Sequence, residues 1–211
     1  MSPAARKLLH IAGHPFLPKS VAFELDDLDR LGTNGLAIKE ILREKNGFFC
    51  FERAFRFFPS ATSEASWGIQ EWNKHEFWKH QYCSLAEGLL CFAEDIFSNQ
   101  FCIAGDKICL FNAEPAEVEE ISSTIDDLCI KILENYNSLT GYRFAREWQE
   151  LHGRLPGRHR LMPKKPFVVG GAYEVSNIVA IDSFLLMKSL GNLAHQIHDL
   201  PDGTYIRFEV L

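Results

Sequence analysis

Apolar positions along the chain fall into blocks whose spacing changes from helical to extended and back. Residues 34 to 45, "NGLAIKEILREK", set Ile38, Ile41 and Leu42 three and four apart, and Asn46-Gly47 behind them can take the left-handed stop, so a short amphipathic helix is expected. "FFCFERAFRFFP" then concentrates phenylalanine between Phe48 and Phe58 and closes on Pro59, which predicts one or two short strands. "SWGIQEWNKHEFWKHQY" mixes Trp72, Phe77, Trp78 and Tyr82 with polar residues and predicts a helix over 72 to 82, with Ser66 a possible start. Three β-type runs follow, Gly88 to Ala93, Gln100 to Ala104 and Lys107 to Phe111. The short links "DIFSN" and "GD" predict antiparallel neighbours.

The clearest helical stripe is Ile125, Leu128, Cys129, Ile132, Leu133 and Tyr136, which predicts a helix over 124 to 137 with Ser123 or Thr124 as its cap. A second helix, roughly 140 to 152, carries Phe144, Trp148 and Leu151 on one side, turns Arg143, Arg146, Glu147 and Glu150 to water, and stops at Gly153. Beyond a basic loop come "PFVVGGAYEV" and "NIVAID", then a short helix "SFLLMKSL" ended by Gly191. A hairpin is expected after it, with arms Leu193 to Leu200 and Thr204 to Val210 and a turn at Pro201-Asp202-Gly203. Strands, two helices and strands again, without βαβ alternation, predict an α+β fold. It is read as a single domain over 34 to 211, with a mixed, mostly antiparallel sheet flanked by helices, preceded by a less regular arm over 1 to 33.

Composition narrows the function classes. The chain has 211 residues, 46% hydrophobic and 24% charged, enough for one good core and unlike a disulfide miniprotein or a disordered tail. Lys and Arg number 22 against 28 Asp and Glu, a net charge of −6, which argues against direct nucleic-acid binding. Five of the six cysteines sit in apolar runs such as "LLCFA" and "DLCIKI" and read as reduced core residues. No stretch approaches the roughly 20 apolar residues of a membrane span, and the N-terminal segment is broken by His10, Gly13, His14 and Pro15 before it resembles a leader. No membrane association and a cytoplasmic location are therefore expected.

Candidate chemistry is sparse. His195 and His198, on a strand, would face opposite ways, and His75 and His80 at i, i+5 miss a shared helix face, so packed or surface imidazoles are favoured over a metal site. There is no G-x-S-x-G, HExxH, GxxxxGK[ST] or GxGxxG string, and Gly170-Gly171 reads as a tight bend. Neither a catalytic set, a metal nor a cofactor is expected. Charge segregation says more: six acids and no base lie from Glu114 to Asp127, and five bases and no acid from Arg154 to Lys165. Solvated segments and a helix entry account for much of this. The functional reading is a partner-steering surface made of Glu114, Glu117, Glu119 and Glu120, with Glu94 and Asp95 beside it. Trp67 and Trp72 are candidate interface anchors, core packing being the default for Trp72.

From residue 46 onward the order of segments resembles the SUKH superfamily of Smi/Knr-type proteins. The stretches that carry the resemblance are "NGFFCFERAFRFFP", "EWN" with "FWKHQY", "GLLCFAEDIFSNQFCI", "ICLFNAEPAEVEE", "TGYRFAREWQ", "PFVVGGAY" and "LAHQIHDLPDGT". The most specific is FAED-x-F-x-x-Q-F followed by FN-x-E. The resemblance implies an α+β domain that acts by binding proteins: an immunity protein that neutralises a secreted toxin, often a nuclease or deaminase, in the cytoplasm of the producing cell. A regulatory scaffold of the same fold is the runner-up and an enzyme the third reading. The motif residues Phe92, Phe97, Phe101 and Trp148 are apolar and define the fold, so the resemblance transfers no catalytic residue.

Overall fold

The computed structural model describes residues 1–19, 26–201, 203 and 204. Its centre is a six-stranded antiparallel sheet in which each strand pairs with the next in sequence: β1 Phe48–Cys50, β2 Phe55–Phe57, β3 Leu89–Glu94, β4 Gln100–Ala104, β5 Lys107–Asn112 and β6 Glu117–Ser122. A second, two-stranded antiparallel sheet joins β7 His159–Pro163 to β8 Ile178–Asp182. Seven α-helices accompany them among the described residues: α1 Pro3–Ile11, α2 Asp26–Asp29, α3 Gly32–Glu44, α4 Ile69–Trp72, α5 Ile125–Thr140, α6 Tyr142–His152 and α7 Ser183–Ile197. The α+β class expected from the pattern is the class observed.

Both faces of the large sheet are covered, which is why its strands read as apolar blocks rather than as clean alternation. On one face the Cys50 thiol donates to the Leu8 carbonyl of α1 (3.7 Å), and α1 and α3 both pack on α5. On the other face Gln100 Oε1 accepts from the Trp72 indole (2.8 Å), and Phe111 meets Trp78 and Tyr82. The first four residues of the stripe read for α5, Ile125, Leu128, Cys129 and Ile132, are buried, whereas Leu133 is half-buried and Tyr136, just past a kink at Asn135, is exposed; Thr124 caps the helix by accepting from the Asp127 N–H (3.1 Å). A smaller core of Ala54, Ile96, Ala145, Leu155, Leu161 and Ile178 lies under α6 and the second sheet. Within it the Leu161 N–H donates to the Ile96 carbonyl (2.8 Å), which joins β7 to the β3–β4 connection.

Several elements differ from the sequence reading, each for a local reason. The single helix expected over 72 to 82 is α4 plus a 3₁₀ segment, Lys79–Ala86. Asn73 ends α4 because its side-chain amide donates to the Ile69 and Cys91 carbonyls while its oxygen accepts from the Cys91 N–H. Gly191 does not stop α7, which runs on to Ile197 through the expected first arm of the hairpin. A Cβ there would sit 2.7 Å from Gln81 Cβ and 2.8 Å from the Tyr82 ring, so the glycine marks a close helix approach rather than an end. Most of the expected second arm, and Asp202 of its turn, lie outside the described residues.

"HRLMP", read as part of a basic loop, is β7, and "PFVVGG" is a 3₁₀ turn rather than a strand. The bend expected at Gly170-Gly171 is present: Gly170 has φ 82°, and a Cβ on Gly171 would lie 1.9 Å from the Lys165 carbonyl oxygen. The boundary expected near residue 33 falls inside α3, and the arm joins the fold, since Ala5, Leu8 and Leu9 of α1 belong to the main core. Beyond α1 the arm runs beside β1. There the N–H groups of Gly13, Phe16 and Leu17 donate to the carbonyls of Phe49, Gly47 and Asn46 at 2.8, 2.9 and 3.1 Å.

Candidate partner-binding surface

The six acids singled out in the sequence separate into an interior group and an edge group. Glu94 ends β3 with no exposed surface, on the same sheet face as Arg56, its cross-strand neighbour. Its carboxylate pairs with the Arg56 guanidinium and, at 2.7 Å, with Arg160 Nε from β7, and it accepts from Gln100 Nε2 at 3.2 Å. Both arginines are themselves fully buried. Arg56 also donates to the Gly157 carbonyl (2.8 Å) and to Ser183 Oγ (2.9 Å), which ties the large sheet to the α6–β7 connection and to the first residue of α7. Burial, followed by the charge of Arg56, pulls the Arg160 guanidinium down to about 9. Burial lowers Arg56 as well, with Glu94 opposing it. Glu94 is thus the counter-ion of two interior guanidiniums, and the expectation that it faces a partner is corrected.

Asp95 is corrected in the same way. It is 5% exposed, and its Oδ1 accepts from the Phe97 and Asn99 N–H groups (2.8 and 2.9 Å) while Oδ2 accepts from Asn99 Nδ2 (2.8 Å). An aspartate in this role builds the β3–β4 turn by standing in for backbone acceptors. Burial raises its carboxyl to about 7, against the pull of those hydrogen bonds. Glu114, 9% exposed, accepts from the Val168 N–H (3.0 Å) and pins the 3₁₀ turn after β7 to the β5–β6 connection. Its carboxyl is raised by burial and held back by the Val168 and Phe167 amides. The FAED and FN-x-E strings are therefore structural at their acids.

Glu117, Glu119 and Glu120 are exposed, together with Val118, on β6. The sequence reading placed this segment in a solvated loop and helix entry, whereas it is the outermost strand of the large sheet. Glu117 faces Asn112, Val118 faces Phe111, Glu119 faces Leu110 and Glu120 faces Cys109. Pairing with β5 overrides the poor strand preference of glutamate, as tertiary context does at edges. After Glu120 the register shifts, so that Ser122 faces Ile108 and Ile121 bulges out of the ladder. Lys131 of α5 donates to the Ile121 carbonyl, which holds the bulge. Glu120 pairs with Lys107 at 3.2 Å, both well exposed. Among the described residues no strand occupies the far side of β6. What the strand offers is a row of backbone donors and acceptors flanked by carboxylates and one exposed valine.

Neither tryptophan is an open anchor. Trp72 is fully buried, and Trp67 is half-buried beneath the Arg158 guanidinium, 4.3 Å from its ring centre, and against Phe77. A cleft of about 970 Å³ opens where the arm meets the β1–β2 turn, between His14, Phe16, Phe49, Arg53 and Arg154. Phe51, Glu52 and Arg53 of that turn all have positive φ (51°, 50° and 72°), a costly run for residues with side chains. Burial, then Arg154 and Arg56, pulls Arg53 down to about 10. Glu52 and Glu64 also line the cleft, so it carries no single sign of charge. Among the described residues no group of three or more His, Cys, Asp or Glu could hold a metal ion, and no helix is long and apolar enough to cross a membrane.

No family model matches the chain, and no curated protein matches it. Among solved structures, the crystal structure of Atu4351 from Agrobacterium tumefaciens is similar over 91% of this chain and 89% of that one, with a TM-score of 0.56 and 16% sequence identity. At that identity the likeness is one of fold.

Proposed function

We propose that this chain is a non-enzymatic protein-binding domain of the immunity type that its motifs resemble, acting in the cytoplasm on a basic protein partner such as a nuclease- or deaminase-type toxin. The observation that carries the reading is β6: an open strand edge with Glu117, Val118, Glu119 and Glu120 exposed along it. Such an edge suits an extended segment that adds as a further strand, because among the described residues no strand pairs with its outer side and its carboxylates complement lysine and arginine. Interior placement of Glu94, Asp95 and Glu114 supports the same division of labour, since the acids that build the fold are not the ones left for a partner.

The test is co-expression with the product of the reading frame adjoining this gene, scored as cell survival. Protection by the wild-type chain and loss of protection on combining Glu117→Lys, Glu119→Lys and Glu120→Lys are expected. A neighbouring product that is harmless on its own would overturn the immunity role. Full protection by the triple variant would remove β6 from the interface.

A further inference from the structure

Five of the six cysteines are buried, and Cys83 is the exposed one. It sits in the 3₁₀ segment Lys79–Ala86 with φ 51° and ψ −126°, a conformation that interrupts the helical turn and that side chains seldom adopt. Its Sγ lies 3.6 Å from Nδ1 of His195, a residue of α7 that is also exposed. The two come from elements 112 residues apart, so the pairing is made by the fold. Gly191 makes it: without a Cβ at that position α7 can seat directly on Gln81 and Tyr82. His195, one turn further along the same side of the helix, then meets the residue that follows Tyr82. A glycine in the interior of α7 is the residue that brings imidazole and thiol together.

We infer that Cys83 and His195 form a reactive thiol–imidazole pair whose substrate is a small aliphatic disulfide, making Cys83 a site of reversible mixed-disulfide formation. An imidazole in contact with a thiol is placed to take its proton as the sulfur attacks, acting as a general base. Disulfide exchange suits an open surface pair because no charge develops on oxygen and no enclosing set of donors is required. In the reaction His195 takes the Sγ proton, and the Cys83 thiolate attacks one sulfur of the disulfide. The new S–S bond joins that sulfur to Cys83 as the old S–S bond breaks. The electron pair leaves on the second sulfur, which takes the proton from the imidazolium. Cys83 is oxidised, and the departing half is reduced to a free thiol.

The experiment treats the intact, undenatured chain with oxidised glutathione at neutral pH and follows adduct formation by intact-mass analysis. One adduct is expected, released by dithiothreitol and missing in Cys83→Ser. His195→Asn and His195→Gln, both at an exposed position, should keep the thermal midpoint and form the adduct about tenfold more slowly. Added imidazole should restore part of the lost rate. Wild-type rates in both histidine variants, a wild-type rate in His195→Gln alone, or an adduct that persists in Cys83→Ser would each overturn the assignment.

Discussion

The two edges of the large sheet are finished in different ways. At β1 the N-terminal arm donates one backbone hydrogen bond to Phe49 of the strand and two to Gly47 and Asn46 just before it, and the helix ahead of the arm is anchored in the main core through Ala5, Leu8 and Leu9. Along β6 no strand follows among the described residues, and the protection is chemical: three exposed glutamates and a bulge at Ile121. A covered edge cannot accept another strand, whereas a charged one rejects a second copy of itself and still accepts a strand of opposite sign. The difference teaches where acids work in this molecule. Carboxylates inside hold elements together, and among the described residues those at the bare edge pair with Lys107 alone.

Removing an interior acid should have the largest effect. Glu94→Ala leaves Arg56 and Arg160 buried without a counter-ion, and a loss of about 3–5 kcal/mol is expected in urea denaturation. A loss under about 1 kcal/mol would show that Glu94 belongs with the surface acids. Next comes the covered edge. Leu8→Ala should cost about 2–5 kcal/mol, loosen the arm from β1 and bring concentration-dependent association in light scattering. Destabilisation without association would mean that β1 stays protected by other means.

Asp95 supplies a pH test of the interior group. Its carboxyl is at about 7 in the folded chain against an ordinary value of 3.8. The folded state therefore holds a proton that the unfolded state has released. Stability from this group is full below about 4 and is lost as pH rises through about 7, with a slope of about 1.4 kcal/mol per pH unit between them. Asp95→Asn, which cannot titrate, should flatten that slope, and equal slopes would sink the assignment. The smallest effect on folding belongs to the bare edge. Combined reversal of Glu117, Glu119 and Glu120 to Lys should shift stability by about 0.5 kcal/mol or less per site. It should also slow association with a basic partner at low salt and erase the salt dependence of that rate.

Legibility from sequence followed how local the cause was. The α5 stripe and the β3, β4 and β5 blocks were visible because each buries its own face against a continuous core. β6 and β7 were not, since "EVEEIS" is a strand only by virtue of β5, and Arg160 can lie inside only because Glu94 waits there from another sheet. Glu94 and Asp95 looked alike as neighbouring acids, but one answers two distant arginines and the other its own turn. The length of α7 was hidden by Gly191, whose reason is the Tyr82 ring far away in sequence. At the candidate surface the acidic run itself was legible. Its strand geometry and its separation from Glu94, Asp95 and Glu114 were not.

The order of the sheet also bears on how the chain is made. Every strand of the large sheet pairs with the one synthesised just before it, so the loops that close on pairing are mostly short and the sheet can grow in the order of translation. The arm precedes β1 and is already present when β1 emerges, so the first edge can be sealed at the outset. α1, by contrast, finds its partner α5 only after β6 is complete. The growing end of a nascent sheet is its sticky end, and here its last strand among the described residues is the one richest in negative charge, which tempers premature association between neighbouring chains on a polysome.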